Sequence, residues 1–435
     1  MPDATDGLET ALPALHDLYR DLHAHPELSN AEHRTAGIAA SWLRDAGYEV
    51  HEGVGGTGVV GLLRNGEGPT VLLRADMDGL PLREESGLPY ASTVTAPGPD
   101  GVDVPVMHGC GHDSHVTGLL GAAGQLAAHR DLWRGTVLAV FQPAEELGTG
   151  AQAMIADDLF ARFGTPDVCL GQHVAPLPAG FVAIRPGPTM AASDGLRITL
   201  FGRGGHGSSP ETACDPVVMA ASLVVRLQTV VSREVGAAEN AVVTVGYLHA
   251  GTKENIIPET AELGLSIRTF DPGVRARVLA AIRRITAAEA AAAGAPREPL
   301  VEVTTEVPVT VNDAAAVERT KAALTTALPG RVHHLPVPLP GSEDFGHFAA
   351  AAGVPSVFWF YGGYDAELFR GISTVGLSLA DLPPGIAFNH SPAFAPAVAP
   401  TTETAVRALV AAAGAWAGTP WRRGNSSGPG GLPNG

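Results

Sequence analysis

Four short clusters in the chain carry side chains able to do chemistry. In HGCGHDSH (108–115), Cys110 and His112 lie two residues apart with glycine on either side of the cysteine. The backbone can turn there and bring thiol and imidazole to one point, with Asp113 following as a carboxylate partner. The pattern suits a metal clamp, although a buried free thiol beside incidental histidines also accounts for it when taken alone. In QPAEELGTGA, Glu145 and Glu146 follow an apolar run that ends at Gln142. Adjacent residues leave a strand in opposite directions, so both glutamates can serve one site only from a loop, and the carboxyl end of an α/β sheet is where ligands sit. One glutamate could then hold a metal while the other takes a proton from water; two glutamates opening a helix are also ordinary dipole partners. GQHV puts His173 directly after an apolar run, and FNHSP puts His390 in a proline-bounded loop. Each histidine alone reads as a structural or surface group. Together, Cys110, His112, Glu146, His173 and His390 supply five ligands with Glu145 to spare. That is enough for two metals sharing a bridge, an arrangement that clamps a hydrolytic water.

These residues need a sheet to gather them. Leucines 12, 15, 18 and 22 recur at helical spacing, and a second helical stretch runs from Ala31 to Gly47. Compact apolar runs at 57–63, 70–75, 136–142 and 167–172 read as strands, with a helix over 116–128 between them. Alternation of strand and helix predicts a mainly parallel sheet covered on both faces. From Ala191 the texture changes: Leu196, Ile198 and Leu200 alternate with polar positions. Helices over 216–232 and 272–292 and strands over 242–248 and 261–269 follow. That predicts an inserted α+β unit, an antiparallel sheet with two helices. The first texture returns with a strand over 356–361, a loop-rich span over 361–388 and a helix over 402–417. The expected organisation is a catalytic domain of residues 1–186 and 308–418, an insert of residues 187–307, and a disordered Gly/Pro-rich tail, 419–435.

Composition narrows the class. Among 435 residues, 28 basic and 45 acidic side chains give a net charge of −17, which works against nucleic acid. With 45% apolar and 17% charged residues, the chain must fold. Glycine and proline, 53 and 35 residues, imply many tight turns. Three scattered cysteines make no disulfide framework, and no secretory leader is evident. The most apolar stretches, such as 405–417, are too short to span a bilayer. A soluble cytoplasmic protein is expected.

The motifs RADMDGLP (74–81), HGCGHD, PAEE, GQHV, GRGGHGSSP (202–210), KENIIPE (253–259), SIRTF (266–270), GSEDF (341–345) and HSP, in that order, resemble the metallo-amidohydrolases of the aminoacylase and hippurate hydrolase type. That group includes hydrolases of indole-acetyl amino acid conjugates. The resemblance spans nearly the whole chain, from about residue 12 to 417. It implies two divalent metal ions, among manganese, zinc, cobalt and nickel, held by Cys110 (able to bridge), His112, Glu146, His173 and His390, with Glu145 as general base. It makes the insert a lid through which two copies dimerise, and His206 the oxyanion donor, in many relatives reaching the other subunit's site. Asn255 and Arg268 would hold the substrate, the arginine fork suiting a carboxylate; alone, they read equally as a turn residue and a solvent-facing strand residue. Asp78, His108, Asp113 and His115 would support the ligands from behind, Asp76 would be structural or substrate-facing, and residues 342–344 would close the rim.

The chain departs from the group at Gly207, Ser208 and Gly109, where alanines are common. It also lacks the acidic pair that usually follows the last histidine. None of these is a ligand, but the last, with the long 361–388 span, bears on substrate choice. The implied reaction is hydrolysis of the amide of an N-acyl amino acid, with a carboxypeptidase or dipeptidase as the alternative on the same chemistry. A cysteine hydrolase using Cys110 and His112, and a metal-dependent binder, are the rivals from other classes. No role is expected for Cys214, and Cys169 is expected inside a strand.

Overall fold

The computed structural model describes residues 4–98, 100–372 and 382–418. Aliphatic and aromatic runs form an eight-stranded sheet. Its spatial order is Glu49–Val54, Gly58–Asn65, Gly135–Gln142, Thr70–Asp76, Val168–Pro178, Ser356–Tyr364, Val182–Ile184 and Val332–His334. The four middle strands run parallel. The outer pair Glu49–Val54 and Gly58–Asn65 is an antiparallel hairpin. Alternate side chains feed two cores, as the period of two requires. Val71 and Leu73 join the apolar cluster under the long helices Leu8–Ala24, His33–Asp45, His112–Ala128, Ala314–Ala327 and Val398–Trp416. Leu72 joins the cluster under the short helices Gly150–Ala156, Leu159–Phe163 and Gly346–Ala352. The central strand Val168–Pro178 is buried along its whole length, which is why its sequence reads as one apolar run.

A second sheet is antiparallel throughout, in the order Ala241–Ala250, Thr260–Thr269, Ala192–Phe201, Leu300–Val307. Leu196, Ile198 and Leu200 face the helices Pro216–Glu234 and Pro272–Ala292 across a separate core. Both helices begin with proline after an aspartate, Asp215 or Asp271, whose carboxylate accepts backbone N–H groups of the first turn. Where the chain passes between the sheets, Gly187–Met190 pairs with Thr310–Asn312.

Several expectations need correction. The helix expected from Val116 starts at His112, because Gly111 (φ 86°) already turns the chain and the polar residues after it belong to the first turn. His173 lies inside its strand rather than after it, since pairing with Ser356–Tyr364 continues past it. The last helix begins at Val398. The strand Ser356–Tyr364 and the short helical turn Ala366–Phe369 occupy the start of the expected long loop, while 373–381 and the tail 419–435 lie outside the described residues. Among the described residues one helix, Pro216–Glu234, is long and apolar enough to cross a membrane by length and composition. One of its faces packs on the second sheet.

Candidate metal centre

The five expected ligands come from four segments of the chain, one of them a strand of the large sheet. Cys110 and His112 flank Gly111, where a Cβ would come within 2.4 Å of the Val174 side chain, so both the φ and the space demand glycine. His173 sits in the central strand, paired with Phe360. Glu145 and Glu146 follow the end of Gly135–Gln142, after Ala144 at φ 48°, and His390 itself has φ 68°. Two non-glycine residues in left-handed backbone within one site are strain that the surroundings hold in place. Part of that hold at Ala144 is Glu32, buried, whose carboxylate accepts the Ala144 N–H at 2.8 Å.

The donor atoms of Cys110, His112 and Glu146 all lie within 4.8 Å of one another. Cys110 Sγ is 3.4 Å from His173 Nε2, and His390 Nε2 is 3.4 Å from Glu146 Oε1. His173 Nδ1 faces the Val174 carbonyl at 2.7 Å and must donate to it, which leaves the Nε2 lone pair directed at the sulfur. His112 Nδ1 meets Asp78 Oδ1 at 3.2 Å, while its buried Nε2 faces Asp76 Oδ2 at 3.4 Å without making a hydrogen bond; Glu146 Oε1 makes none either. Buried polar atoms without partners cost about 1–3 kcal/mol each. Here an imidazole nitrogen and a carboxylate oxygen converge beside a thiol, so the residues fit a cation, and a mixed sulfur, nitrogen and oxygen set suits a zinc-like or neighbouring transition ion.

Charge is managed from below. Burial opposes a positive His112, but Asp76, Cys110 and Asp78 together push its pKa well above the ordinary range. Burial, then Glu146, raises the Cys110 thiol. Cys110 and Glu146 beside it bring His390 up to about 10. Burial and the neighbouring Glu343, Glu146 and Asp344 hold Glu145 well above the usual carboxylate range. Asp78 accepts from Ser29 Oγ at 2.6 Å and from the backbone N–H groups of Glu145 and Glu146 at 3.2 and 3.0 Å, so it shapes the glutamate turn as well as orienting His112.

The other supporting residues divide. His115 donates to Asp76 and accepts the Val174 N–H at 2.8 Å, which fixes the backbone beside His173. Asp113, expected behind a ligand, instead meets His23 Nδ1 at 2.6 Å, and His23 Nε2 lies 3.0 Å from Glu84. His108 is buried without a hydrogen bond, and burial lowers it to about 4, so it is a neutral core group rather than a support. Asp76 is fully buried between Arg74 and His115, which removes the substrate-facing alternative.

Glu343 and Asp344, expected at the rim, are buried beneath the site. Arg74 donates to Glu343 at 2.7 and 3.1 Å, to Asp344 at 3.2 Å, to Asp76 at 2.8 Å and to Gln142 at 2.8 Å. Sequence reasoning assigned no role to Arg74, Glu32, His23 or Glu84. The only signal was an arginine inside an apolar strand run, which a soluble sheet tolerates only when paired.

A cavity of about 650 Å³ opens over the cluster, bounded by Glu145, Met190, Phe360, Phe388 and, from the second sheet, Arg268. Arg268 donates to Ser342 Oγ at 2.6 Å and, among the described residues, makes no ion pair. His206 and Asn255 do not line this cavity. Both are exposed, His206 on a two-stranded pair opposite Ile256 and Asn255 in the turn just before that strand, and His206 Nδ1 accepts from Ser208 Oγ at 2.7 Å. Cys214 is buried with Sγ 3.3 Å from the Ala293 carbonyl, a packing role.

The description of peptidase family M20/M25/M40 matches residues 72–391, which contain all five donors and Glu145, and the chain belongs to that family. It is 38% identical over 349 residues to thermostable carboxypeptidase 2 of Saccharolobus solfataricus, covering 79% of this chain and 84% of that one. It is 40% identical over 332 residues to the hippurate hydrolase of Campylobacter jejuni, covering 75% and 82%. A dinuclear metal-binding peptidase of family M20 from Bacillus subtilis superposes with a TM-score of 0.72 at 28% identity, over 93% of this chain and 98% of that one.

Proposed function

We propose that this family member is a metal-dependent amidohydrolase that cleaves the amide of N-acyl amino acids or similar small conjugates. The observation that carries the reading is the convergence of Cys110, His112, Glu146, His173 and His390, two of whose buried donor atoms lack hydrogen bonds, beside a further glutamate. A pair of divalent ions, manganese, zinc, cobalt or nickel, would be held there; when bound, it supplies the Lewis acidity that makes water nucleophilic at neutral pH. The chain's own residues do the rest. Glu145, bordering the cavity, takes the proton from the attacking water and returns it to the leaving amine nitrogen. Arg268 anchors the substrate carboxylate by a charged fork. The hippurate hydrolase likeness favours an N-acyl amino acid, while the carboxypeptidase likeness keeps a peptide as the alternative on identical chemistry.

Residues 1–186 and 308–418 would act as the catalytic unit and 187–307 as a lid that also dimerises. Supporting this, Val218 and Val225 are 66% and 72% exposed on the lid helix, and Ala241–Ala250 is an edge strand. His206 and Asn255 do not line their own cavity, so a second copy is the natural recipient of the His206 oxyanion donor; sedimentation analysis tests the dimer. Three unpaired, buried cysteines suit a reducing cytoplasm.

One observation favours a cysteine hydrolase: Cys110 contacts His173 at 3.4 Å. An activated nucleophile needs a lowered thiol pKa, however, and burial drives Cys110 the other way. The test is Glu145→Gln, which should retain metal and lose about a hundredfold or more in kcat on an N-benzoyl amino acid. Near-wild-type turnover would remove Glu145 as the base.

A further inference from the structure

Asn389 immediately precedes His390, and the reading above gives it no role. Its Nδ2 lies 3.1 Å from the main-chain oxygen of Cys110, 3.2 Å from that of Val174 and 3.9 Å from Cys110 Sγ. Carbonyl oxygens only accept, so the carboxamide must turn its NH2 toward both of them, and its orientation is set. The Val174 oxygen is the one that also receives His173 Nδ1–H. On the far side, the His390 backbone N–H donates to the Gly109 oxygen at 2.8 Å, with His390 itself in left-handed backbone. One side chain therefore joins three segments distant in sequence: the turn bearing Cys110, the strand bearing His173 and the loop bearing His390.

We propose that Asn389 is a positioning residue for the metal pair, its carboxamide bracing the Cys110 and Val174 carbonyls so that the Cys110, His173 and His390 donors arrive at one spacing. The inference rests on reading those three as ligands. It touches no reacting atom: without the brace, the left-handed His390 backbone is free to relax and the Cys110 turn to drift from the strand. Partners that orient ligands in this way typically change metal affinity by about 10–100-fold when removed.

The experiment is a cobalt(II) titration of metal-free wild type, Asn389→Ala and Asn389→Leu, the last keeping most of the volume without donors. Binding is followed by the thiolate-to-cobalt charge-transfer band in the near ultraviolet, and each metal-free chain is melted in parallel. Both variants should bind cobalt about 10–100-fold more weakly, with a diminished band and a metal-free melting curve close to wild type. Wild-type affinity and band in either variant overturn the brace. So does a loss of affinity matched by collapse of the metal-free melting curve in both variants, which would make Asn389 a general stability residue. A wild-type chain that binds cobalt without any charge-transfer band overturns the assignment of Cys110 as a ligand, and the brace with it.

Discussion

Arg74, buried behind the cavity-lining Glu343, and Arg268, which itself lines the cavity, are used differently. Arg74 is buried and spends its guanidinium on Asp76, Glu343, Asp344 and Gln142. Arg268 is half-buried, has only a serine hydroxyl as partner, and is depressed by burial rather than raised by an acid. His23, clamped between Asp113 and Glu84, belongs with Arg74. A cation saturated by fixed carboxylates builds the scaffold, whereas one left with a single neutral partner at a cavity wall is available to an incoming anion. Among charged side chains that the sequence shows equally well, partner saturation separates structure from binding.

The largest expected effect breaks the saturated side. Arg74→Leu leaves three buried carboxylates without their cation and should cost about 3–5 kcal/mol in urea unfolding; a loss below about 1 kcal/mol would mean that the network holds its charge some other way. On the unsaturated side, Arg268→Ala should leave unfolding within about 0.5 kcal/mol of wild type. It should raise KM for a carboxylate-bearing substrate by about 10–100-fold, the worth of a charged hydrogen bond, and leave the matching uncharged amide unchanged. Equal losses on both substrates would deny Arg268 its anion. The smallest effect concerns pH. Burial opposes the charge on His23, but Asp113 and Glu84 raise it to about 10. Free histidine titrates near 6.5, so this stabilisation is complete below about pH 6.5 and lost as pH rises through about 10. Stability should therefore fall across that window, and His23→Gln should flatten the fall in denaturant midpoints measured at successive pH values.

The same distinction explains what the sequence could disclose. Alternation at Leu196, Ile198 and Leu200 revealed the antiparallel sheet because one-sided burial writes a period of two into the chain. The parallel sheet showed as apolar runs because both of its faces are covered. The donors of the site were legible by type: cysteine, histidine and paired glutamates among glycines. What stayed hidden depends on contacts between distant segments. Asp113 reads as a partner for its neighbour His112 but turns to His23, 90 positions away. Asn389 reads as a loop residue until Cys110 and Val174 are brought beside it. His206 has the right chemistry on the right kind of turn, yet no local pattern says that it does not line its own cavity.

The central claim is that the five converging donors hold divalent metal on which the hydrolysis depends. Its most direct test is metal content and N-benzoyl amino acid hydrolysis by one preparation before EDTA, after it, and after return of manganese or cobalt. The account predicts about two ions per chain, loss of activity on their removal and recovery with their return. Full activity in a chain stripped of metal would contradict it.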